Sequence, residues 1–497
     1  MAPLIKTSLG INNLLADSLI QVNPDTSLKI VYNSSLFNFN VDSLVNFPDT
    51  ISKQVYHLTG SITVNPGQLI MNSTSHTYMN PGHSGEVRKI VVKSGNIILK
   101  IKNSLSQKVL CTYQIPCTSF NGTPFTYTDL LPAAGNNGPA LYQKAIDISG
   151  YTIDLTGPLG NSSNTITSTV QAWIDPNGST VTITANDSLQ MSSSFNNLVI
   201  GYAQGYFGNQ TSNPGLQKTY FSLFHKITDG TLSLEDLHLK LNITNGYGVD
   251  AAFVLQQLKS VNSHTHNAVA LNSSIINSTI HINRAVETYN PMNPVIPSVS
   301  TFNLDNSNFK QLVENLPDSL EYSLNLSTDP LGNVSSGNDF MYSGYGFNAD
   351  LDLEIPLSLV AHNLTLTDTM SFNLTKPGSS YELNHGTLTL IADNGFPFSA
   401  MAQIYLLDNG VKTDSLVTFS SVIQSAPIDN NYKVTSKKRS LIYIPVSGEK
   451  LKHLYSAKKM IIVARFNTTG QPHYVKIYSG YLLDLKLTGD FNMTVNK

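Results

Sequence analysis

Residues 166–185, ITSTVQAWIDPNGSTVTITA, contain the pattern that decides the fold. Every second residue from Ile166 to Ile174 is small or apolar, which is the period of a half-buried strand. Asp175-Pro176-Asn177-Gly178 then predicts a turn, because proline presets φ and Asn-Gly tolerates positive φ. The return strand is predicted to turn three side chains inward, those of Val181, Ile183 and Ala185. The stretch therefore predicts a β-hairpin with one buried face.

The same period of two recurs along most of the chain. Residues 97–102 and 109–115 alternate in this way, and so does the closing segment 474–495. Between residues 347 and 359, apolar side chains alternate with Asp350, Asp352 and Glu354. These patterns predict an all-β protein, built as a multi-domain β-sandwich or as elongated curved sheets with a few short helices.

Helices are predicted at only three places. Residues 306–316 form the clearest case, because their apolar side chains recur at helical spacing and Pro317 follows directly. The apolar face consists of Phe309, Leu312, Val313 and Leu316. Shorter helices are predicted at residues 254–261 and 447–455.

The length of 497 residues exceeds what one ordinary hydrophobic core supports. A Gly/Pro loop at residues 132–139 and a connector with three prolines at residues 289–297 interrupt the strand patterns. We predict an N-terminal β region (1–80), a central β-rich domain (81–295) and a C-terminal β-rich domain (296–497) that carries the amphipathic helix.

The chain is poor in charge. Only 13% of its residues are Asp, Glu, Lys or Arg, although 41% are hydrophobic, and ordinary soluble domains carry about 25% charge. A net charge of −3 argues against a nucleic-acid partner, which requires clustered cations. Ser, Thr and Asn take the outward positions of the strands instead. Such a surface is typical of binding or assembly, because charged residues are depleted at interface cores.

The sequence offers no segment of about 20 apolar residues that would span a bilayer as a helix. The residues after Met1 lack the apolar core of a signal peptide. The abundance of Ser, Thr, Asn and Tyr resembles that of envelope proteins. We therefore expect an exported chain whose signal has been removed, located in the periplasm or at the outer membrane.

Two cysteines, Cys111 and Cys117, are six positions apart. Two cysteines make neither a disulfide-rich scaffold nor a zinc site. A local disulfide and two buried strand thiols are both compatible with this spacing.

Motifs for catalysis and cofactor binding are absent from the sequence. It contains no nucleophile elbow and no phosphate-binding loop, so we expect no enzyme and no cofactor. His264 and His266 would share a strand face, but no third metal ligand is evident and surface histidines are the simpler interpretation. The carboxylates at 350, 352 and 354 would either bind calcium or keep an exposed face hydrated.

Two aromatic-glycine runs, residues 201–208 and 342–347, are the best candidates for partner contact. Tyrosine combines a large apolar area with a polar tip, and glycine adds flexibility. The candidate contact residues are Tyr202, Tyr206, Phe207, Tyr342, Tyr345 and Phe347. The alternative is a bulged or sharply bent strand in which glycine permits close backbone approach.

Six turn and strand-start signatures carry a resemblance to known proteins. They lie at residues 91–95, 115–116, 121–125, 305–308, 316–319 and 394–398. Together they resemble β-rich envelope proteins of Bacteroidota, a group in which the plug of the type 9 secretion translocon has an assigned role. The resemblance implies a periplasmic protein that caps the inner mouth of an outer-membrane pore. It carries over no catalytic residues.

The predicted function is therefore a non-enzymatic envelope protein that docks on and seals an outer-membrane translocation pore, or binds another envelope protein. An alternative is a carrier of an apolar ligand such as a lipid, since Val92, Ile97, Ile98 and Leu99 give strands apolar residues on both faces. A second alternative is a glycan-binding or adhesive module that uses the aromatic-glycine runs.

Overall fold

The computed structural model describes residues 3–10, 19–40, 45, 47–57, 61–224, 227–371, 381–417 and 422–495. It confirms the all-β prediction, since 62% of the structure is strand and 4% is helix. Every pairing between the strands named below is antiparallel. Such pairing lets one sheet face pack on a core while the other meets water, which matches the alternating sequence pattern.

The elements have the following bounds in chain order. The first third holds β1 (Pro3–Leu9), β2 (Ile20–Val22), β3 (Leu28–Asn40), β4 (Thr50–His57), β5 (Ile62–Val64), β6 (Leu69–Tyr78), β7 (Glu86–Asn103), β8 (Val109–Phe120), β9 (Thr123–Leu131), β10 (Ala140–Asp147), β11 (Thr152–Asp154) and β12 (Thr165–Ile174). The middle holds β13 (Val181–Ile183), β14 (Ser188–Tyr206), β15 (Gln210–Ser212), β16 (Gln217–Tyr220), β17 (Ile227–Leu234), β18 (His238–Asn245), β19 (Ala251–Asn262), β20 (Asn267–Ala270), β21 (Thr279–Ile282), β22 (Val286–Glu287), β23 (Val295–Ile296) and β24 (Ser298–Asn303). The last third holds α1 (Phe309–Glu314), β25 (Ser319–Thr328), β26 (Asp339–Tyr342), β27 (Gly346–Pro356), β28 (Ser358–Ser371), β29 (Tyr381–Asn394), β30 (Phe398–Asp408), β31 (Val411–Val417), β32 (Val422–Ile423), β33 (Lys438–Val446), α2 (Gly448–Ser456), β34 (Lys459–Thr468), β35 (Val475–Lys476) and β36 (Leu483–Val495).

The largest sheet has ten strands and is built around the long strands β7 and β14. These two pair from Leu189–Asn103 to Tyr206–Glu86. β10 flanks β7 at one end, and β4 flanks the same end of β14. At the other end, β14 pairs with β26. This sheet carries one of the two surfaces discussed below, and the short hairpin that carries the other packs against it.

The described residues contain two large hydrophobic cores. The main core runs from Leu28 to Ala361 and also takes in Phe396, Ile477 and Tyr481. The second core runs from Leu388 to Met460. The predicted boundary at residue 80 is crossed by the pairing of β4 with β14, and the boundary at residue 295 by the pairing of β18 with β24. The main core therefore spans both predicted boundaries.

The stretch quoted first folds as two strands but not as a hairpin. The inward face of β12 is buried as predicted, and Gly178 N donates to Asp175 O at 2.9 Å to close the turn. However, β12 pairs with β6 and β8, whereas β13 pairs with β5. Ala185, predicted to face inward, is exposed. The turn depends on its own four residues, whereas the strand partners depend on segments that are distant in sequence.

Two of the three predicted helices form. α1 buries Phe309, Leu312 and Val313, and α2 begins after Ser447, whose side chain accepts from Lys450 N. The prediction at residues 254–261 is wrong, because this segment belongs to β19. A β-bulge between Leu255 and Gln257 sets the buried residues Leu255 and Leu258 three positions apart, which imitates helical spacing.

Both cysteines lie on β8 as free thiols, so the disulfide alternative is not realised. Cys111 shares the buried face with Tyr113 and Ile115. Burial raises the pKa of the Cys111 thiol to about 12. The Sγ atom of Cys117 lies 3.4 Å from Thr167 N and 3.5 Å from Thr167 O, where it contacts the backbone of β12.

Candidate functional site

The two aromatic-glycine runs predicted from sequence meet on adjacent strands. Tyr202 on β14 is the register partner of Tyr342 on β26. Their ring centroids are 4.7 Å apart at an interplanar angle of 54°. The Phe340 ring lies 6.2 Å from that of Tyr342, and Lys89 Nζ lies 5.8 Å from the Tyr202 centroid. The two aromatic-glycine runs, which are separate in the sequence, therefore form one aromatic cluster in the fold.

The six predicted contact residues differ in how much surface they offer. Phe207 and Phe347 belong to the main core, and Tyr202 is also buried. Their side chains give a partner no surface in this fold. Tyr206, Tyr342 and Tyr345 are half-buried. The prediction of partner contact is open only for these three tyrosines.

Glycines in the first run permit close backbone approach at an irregular strand. The pairing of β14 with β7 shifts register between Ile200 and Tyr202 and again between Gln204 and Gly205. Gly205 has φ +153°, and a Cβ atom there would lie 2.4 Å from Glu86 O. These features match the alternative stated above, a bulged strand in which glycine is needed for packing.

A short hairpin formed by β22 and β23 packs on the aromatic cluster. Val286 pairs with Ile296, and Glu287 with Val295. Val295 is buried against Tyr202, Phe340 and Ala285. The Tyr342 hydroxyl donates to Glu287 Oε1 at 2.7 Å. The predicted connector at 289–297 is therefore mostly the end of a hairpin that folds back on the main body.

The opposite side of this hairpin is apolar and open to solvent. Met292 is 95% exposed and Tyr289 is 81% exposed. Val286 and Ile296, which are register partners, are exposed beside them. We call residues 288–294 the hairpin tip. Residues 286–296 thus expose four large apolar side chains, and concentrations of exposed apolar side chains mark interaction sites.

The hairpin tip is held by its own hydrogen bonds. Thr288 N donates to Pro294 O at 2.9 Å, and the Thr288 hydroxyl donates to Asn293 O at 2.5 Å. Asn290 Oδ1 accepts from Met292 N at 3.0 Å. Pro291 and Pro294 restrict the backbone further. The exposed side chains are therefore presented on an ordered loop.

An ion pair between a partly exposed arginine and a buried carboxylate anchors the hairpin where it leaves the main body. Arg284 Nη2 donates to Asp339 Oδ1 at 3.0 Å and to Asn338 O at 2.9 Å, and it also bonds Gly248 O. The Asp339 side chain is almost completely buried. Ala285 N donates to the carbonyl of the fully buried Tyr247 at 2.7 Å. We call Arg284, Ala285, Val295 and the cluster beneath them the hairpin base.

Two carboxyl groups near the base, those of Asp329 and Asp339, have raised pKa values. Burial, together with the charges of Asp339 and Asp250, raises the pKa of Asp329 to about 8, although Arg284 opposes the shift. Burial also raises the pKa of Asp339. The Oδ2 atoms of Asp329 and Asp339 are buried without a hydrogen-bond partner. Asp329 is therefore largely protonated at neutral pH.

The tyrosines of the cluster stay neutral. Burial, followed by the nearby Glu287 carboxylate, raises the pKa of both Tyr202 and Tyr342. A neutral phenol donates a hydrogen bond and packs as an apolar ring, but it does not act as a base near pH 7. The site is thus arranged for contact and positioning.

The other polar candidates fall elsewhere. His264 and His266 are exposed in the turn after β19. Asp352 accepts from Asn242 Nδ2 at 2.5 Å, and Glu354 pairs with Lys29 Nζ at 2.9 Å. Within the described ranges, no group of three or more His, Cys, Asp or Glu residues is suited to hold a metal ion.

Sequence reasoning selected the two runs that form the aromatic cluster, but it predicted neither their contact nor the hairpin tip. The three prolines suggested a linker, whereas Val286-Glu287 and Val295-Ile296 on either side form a two-residue ladder. The available signal was an apolar residue at each end of a loop rich in proline and asparagine. This pattern is too short to distinguish a hairpin from a connector.

No protein-family model matches the chain, and no curated protein is similar to it. Among solved structures, one similar chain is a protein of Parabacteroides distasonis that is thought to be secreted. It shares 12% sequence identity and a TM-score of 0.28, over 58% of this chain and 83% of that one. A TM-score this low establishes no common fold. Among the described residues, no helix combines the length and apolar character needed to cross a membrane.

Proposed function

We propose that this chain is a non-enzymatic binding protein of the cell envelope that docks onto a protein partner through the hairpin tip. The observation that carries the proposal is the pair Met292 and Tyr289, almost fully exposed on an ordered loop above a buried base. Large apolar residues in such positions act as anchors when a partner offers a groove.

The order of the hairpin tip supports this function energetically. Association costs conformational entropy for each flexible group that becomes fixed. Hydrogen bonds within residues 288–294 and the two prolines remove part of that cost before binding. Met292 adds a flexible, polarisable side chain that adapts to an irregular apolar groove. The tip thus combines a fixed backbone with one adaptable contact.

The partner that fits this proposal best is an envelope protein with an apolar groove. Low charge over the whole chain allows docking and release without strong electrostatic bias. An outer-membrane translocation pore sealed by this chain is the specific form of the proposal, supported by the sequence resemblance alone.

Position-specific photo-crosslinking in envelope fractions of the native source tests the proposal. A benzophenone side chain at Met292 is expected to cross-link one protein partner that mass spectrometry then identifies. The matched control places the same probe at Leu159, which is 83% exposed on a turn between β11 and β12. A partner captured at 292 but not at 159 supports docking through the tip. Equal capture at both positions, or none at 292, contradicts it.

A competition experiment adds specificity. The unlabelled wild-type chain is expected to abolish the cross-link, whereas Met292→Ser protein at the same concentration should leave it largely intact. If the captured protein is an outer-membrane pore component, the sealing function gains support. A different partner would retain the docking function and exclude the pore.

A further inference from the structure

A second surface lies on the outer face of the ten-stranded sheet, where β4, β14, β7 and β10 run side by side. The strand registers align its side chains in three rows. The rows are Ile51–Ser194–Ile98–Ala145, Lys53–Ser192–Lys100–Gln143 and Val55–Gln190–Lys102–Leu141. Eight of these residues line a shallow groove of about 370 Å³. We call these three rows the lysine face.

The charge of the lysine face has one sign. It carries Lys53, Lys100 and Lys102, and none of its twelve residues is acidic. All three lysines are exposed, and none of them has a carboxylate within ion-pairing distance among the described residues. In a chain of net charge −3, this is a local excess of positive charge.

The spacing of the lysines suits several phosphate groups rather than one small anion. Adjacent strands lie about 4.8 Å apart, so Lys53 and Lys100 are separated by about 10 Å across β14. Lys100 and Lys102 are about 7 Å apart along β7. Between them, Ser192 and Gln190 offer further hydrogen-bond donors.

Exposed aliphatic side chains flank the lysines on both outer strands. Leu141 on β10 is 78% exposed, and Ile51 and Val55 on β4 are each more than half exposed. A soluble phosphate would neutralise the lysines but leave these side chains in water. A bilayer surface provides partners for the lysines and for the aliphatic side chains. Its phosphates pair with the lysines, and its acyl boundary accommodates the aliphatic groups.

Acidic residues lie beyond both ends of the face. At one end, Asp49 contacts Asn196, and Asp147 pairs in register with Asn96. Both positions are about 14 Å along the strands from the row that holds Lys53 and Lys100. At the other end, Asp187 lies three positions before Gln190, about 10 Å along the chain from the row that holds Lys102, and its carboxylate accepts from Thr184 N at 2.8 Å. Both separations exceed the screening length of about 8 Å at physiological ionic strength, so these acids only partly weaken the attraction of the lysines.

We propose that the lysine face binds anionic phospholipid headgroups at a bilayer surface, with Leu141, Ile51 and Val55 reaching into the interface. The binding is peripheral and reversible, since three cations and three small apolar groups supply limited energy. It is independent of the hairpin tip, which lies at the other end of β14.

Co-flotation of the 497-residue chain with lipid vesicles tests this inference. We expect binding to vesicles of phosphatidylcholine and phosphatidylglycerol in equal parts, release by added salt, and no binding to phosphatidylcholine alone. Each lysine near an anionic surface contributes about 1 kcal/mol, so Lys53→Glu with Lys100→Glu should weaken partitioning at least about tenfold. Leu141→Ser should weaken it several-fold without changing the salt dependence.

A matched control separates this face from overall charge. Lys438→Glu with Lys458→Glu makes the same change in net charge at two exposed lysines outside the face, and it should leave binding within about twofold of wild type. Thermal melting verifies that each variant folds. An equal loss in the control pair, equal binding to neutral vesicles, or no binding to anionic vesicles would overturn the inference. Unchanged binding by Met292→Ser confirms that the hairpin tip is not involved.

Discussion

The hairpin at residues 284–296 joins two regions with opposite chemistry. Its base buries Ala285 and Val295 against aromatic rings and pairs Arg284 with the buried carboxylate of Asp339. Its tip exposes the side chains of Tyr289 and Met292 to solvent. The difference shows how a β protein can present apolar residues without losing order, because the base supplies the stability that the tip lacks.

The base and the tip should therefore separate in experiments. Changes in the base should lower the stability of the fold. Changes in the tip should leave stability intact and alter only what the protein binds. Four substitutions test this separation, from the largest expected effect to the smallest.

Arg284→Met should lower the free energy of unfolding by about 3–5 kcal/mol, because it leaves the buried Asp339 carboxylate without its cation. Urea denaturation at pH 7 measures the loss. Adding Asp339→Asn should restore part of the stability, since the uncompensated charge is removed as well. Equal stability of Arg284→Met and wild type would show that the ion pair does not anchor the hairpin.

Asp329 should make stability depend on pH. Its pKa is raised to about 8 in the folded chain, whereas an unfolded carboxyl titrates near 3.8. The folded state therefore holds a proton that the unfolded state releases, and this contribution to stability is lost as pH rises toward 8. The loss between pH 6 and pH 8 is about 2–3 kcal/mol.

Asp329→Asn should flatten the pH dependence over this interval, which denaturation at several pH values measures. Asp147→Asn serves as the control and should retain the wild-type slope, because hydrogen bonds from Ser149 lower the pKa of the Asp147 carboxyl and so keep its titration outside this interval. Identical slopes for wild type and Asp329→Asn would contradict the assignment.

Tyr342→Phe should lower the free energy of local opening of the hairpin by about 1–2 kcal/mol. The substitution removes the hydrogen bond to the Glu287 carboxylate but keeps the ring packing. Hydrogen exchange at the amides of residues 286–296 measures the local effect. Tyr345→Phe serves as the control. It also keeps its ring packing, and it should leave hydrogen exchange at these amides unchanged. Faster exchange in both variants would remove the special role of Tyr342.

Met292→Ser should change the free energy of unfolding by less than about 0.5 kcal/mol, since an exposed side chain stabilises little. The cross-link from the hairpin tip to its partner should nevertheless be lost. Thermal melting and the competition assay together measure the two effects. A marked drop in melting temperature would show that the tip belongs to the folded base.

Local patterns in the sequence predicted the elements well where side chains alternate without interruption. The buried faces of β12 and β27 and the helix at residues 309–314 agree with their periodicity. Periodicity failed at β19, where one extra residue in a bulge converted a strand pattern into an apparent helix. A bulge depends on the neighbouring strand, so the single segment carries no signal for it.

The candidate sites show the same limit. Sequence reasoning selected Tyr202 and Tyr342 as separate contacts, but the contact between their rings depends on pairing between strands that are 140 positions apart. Phe207 and Phe347 were selected with them and are core residues instead. Aromatic residues beside glycine serve packing and contact equally well, and only burial separates the two roles.

The sequence by itself determined that the chain is all-β, which faces of β12 and β27 are buried, and where α1 and α2 lie. Alternation and helix capping are local properties, because they depend on residues that are close together in the sequence. Tertiary structure alone decided that β13 pairs with β5, that residues 286–296 fold into a hairpin, and that Lys53, Lys100 and Leu141 share one face. Strand partners are chosen by register and burial between distant segments, so no single segment specifies them.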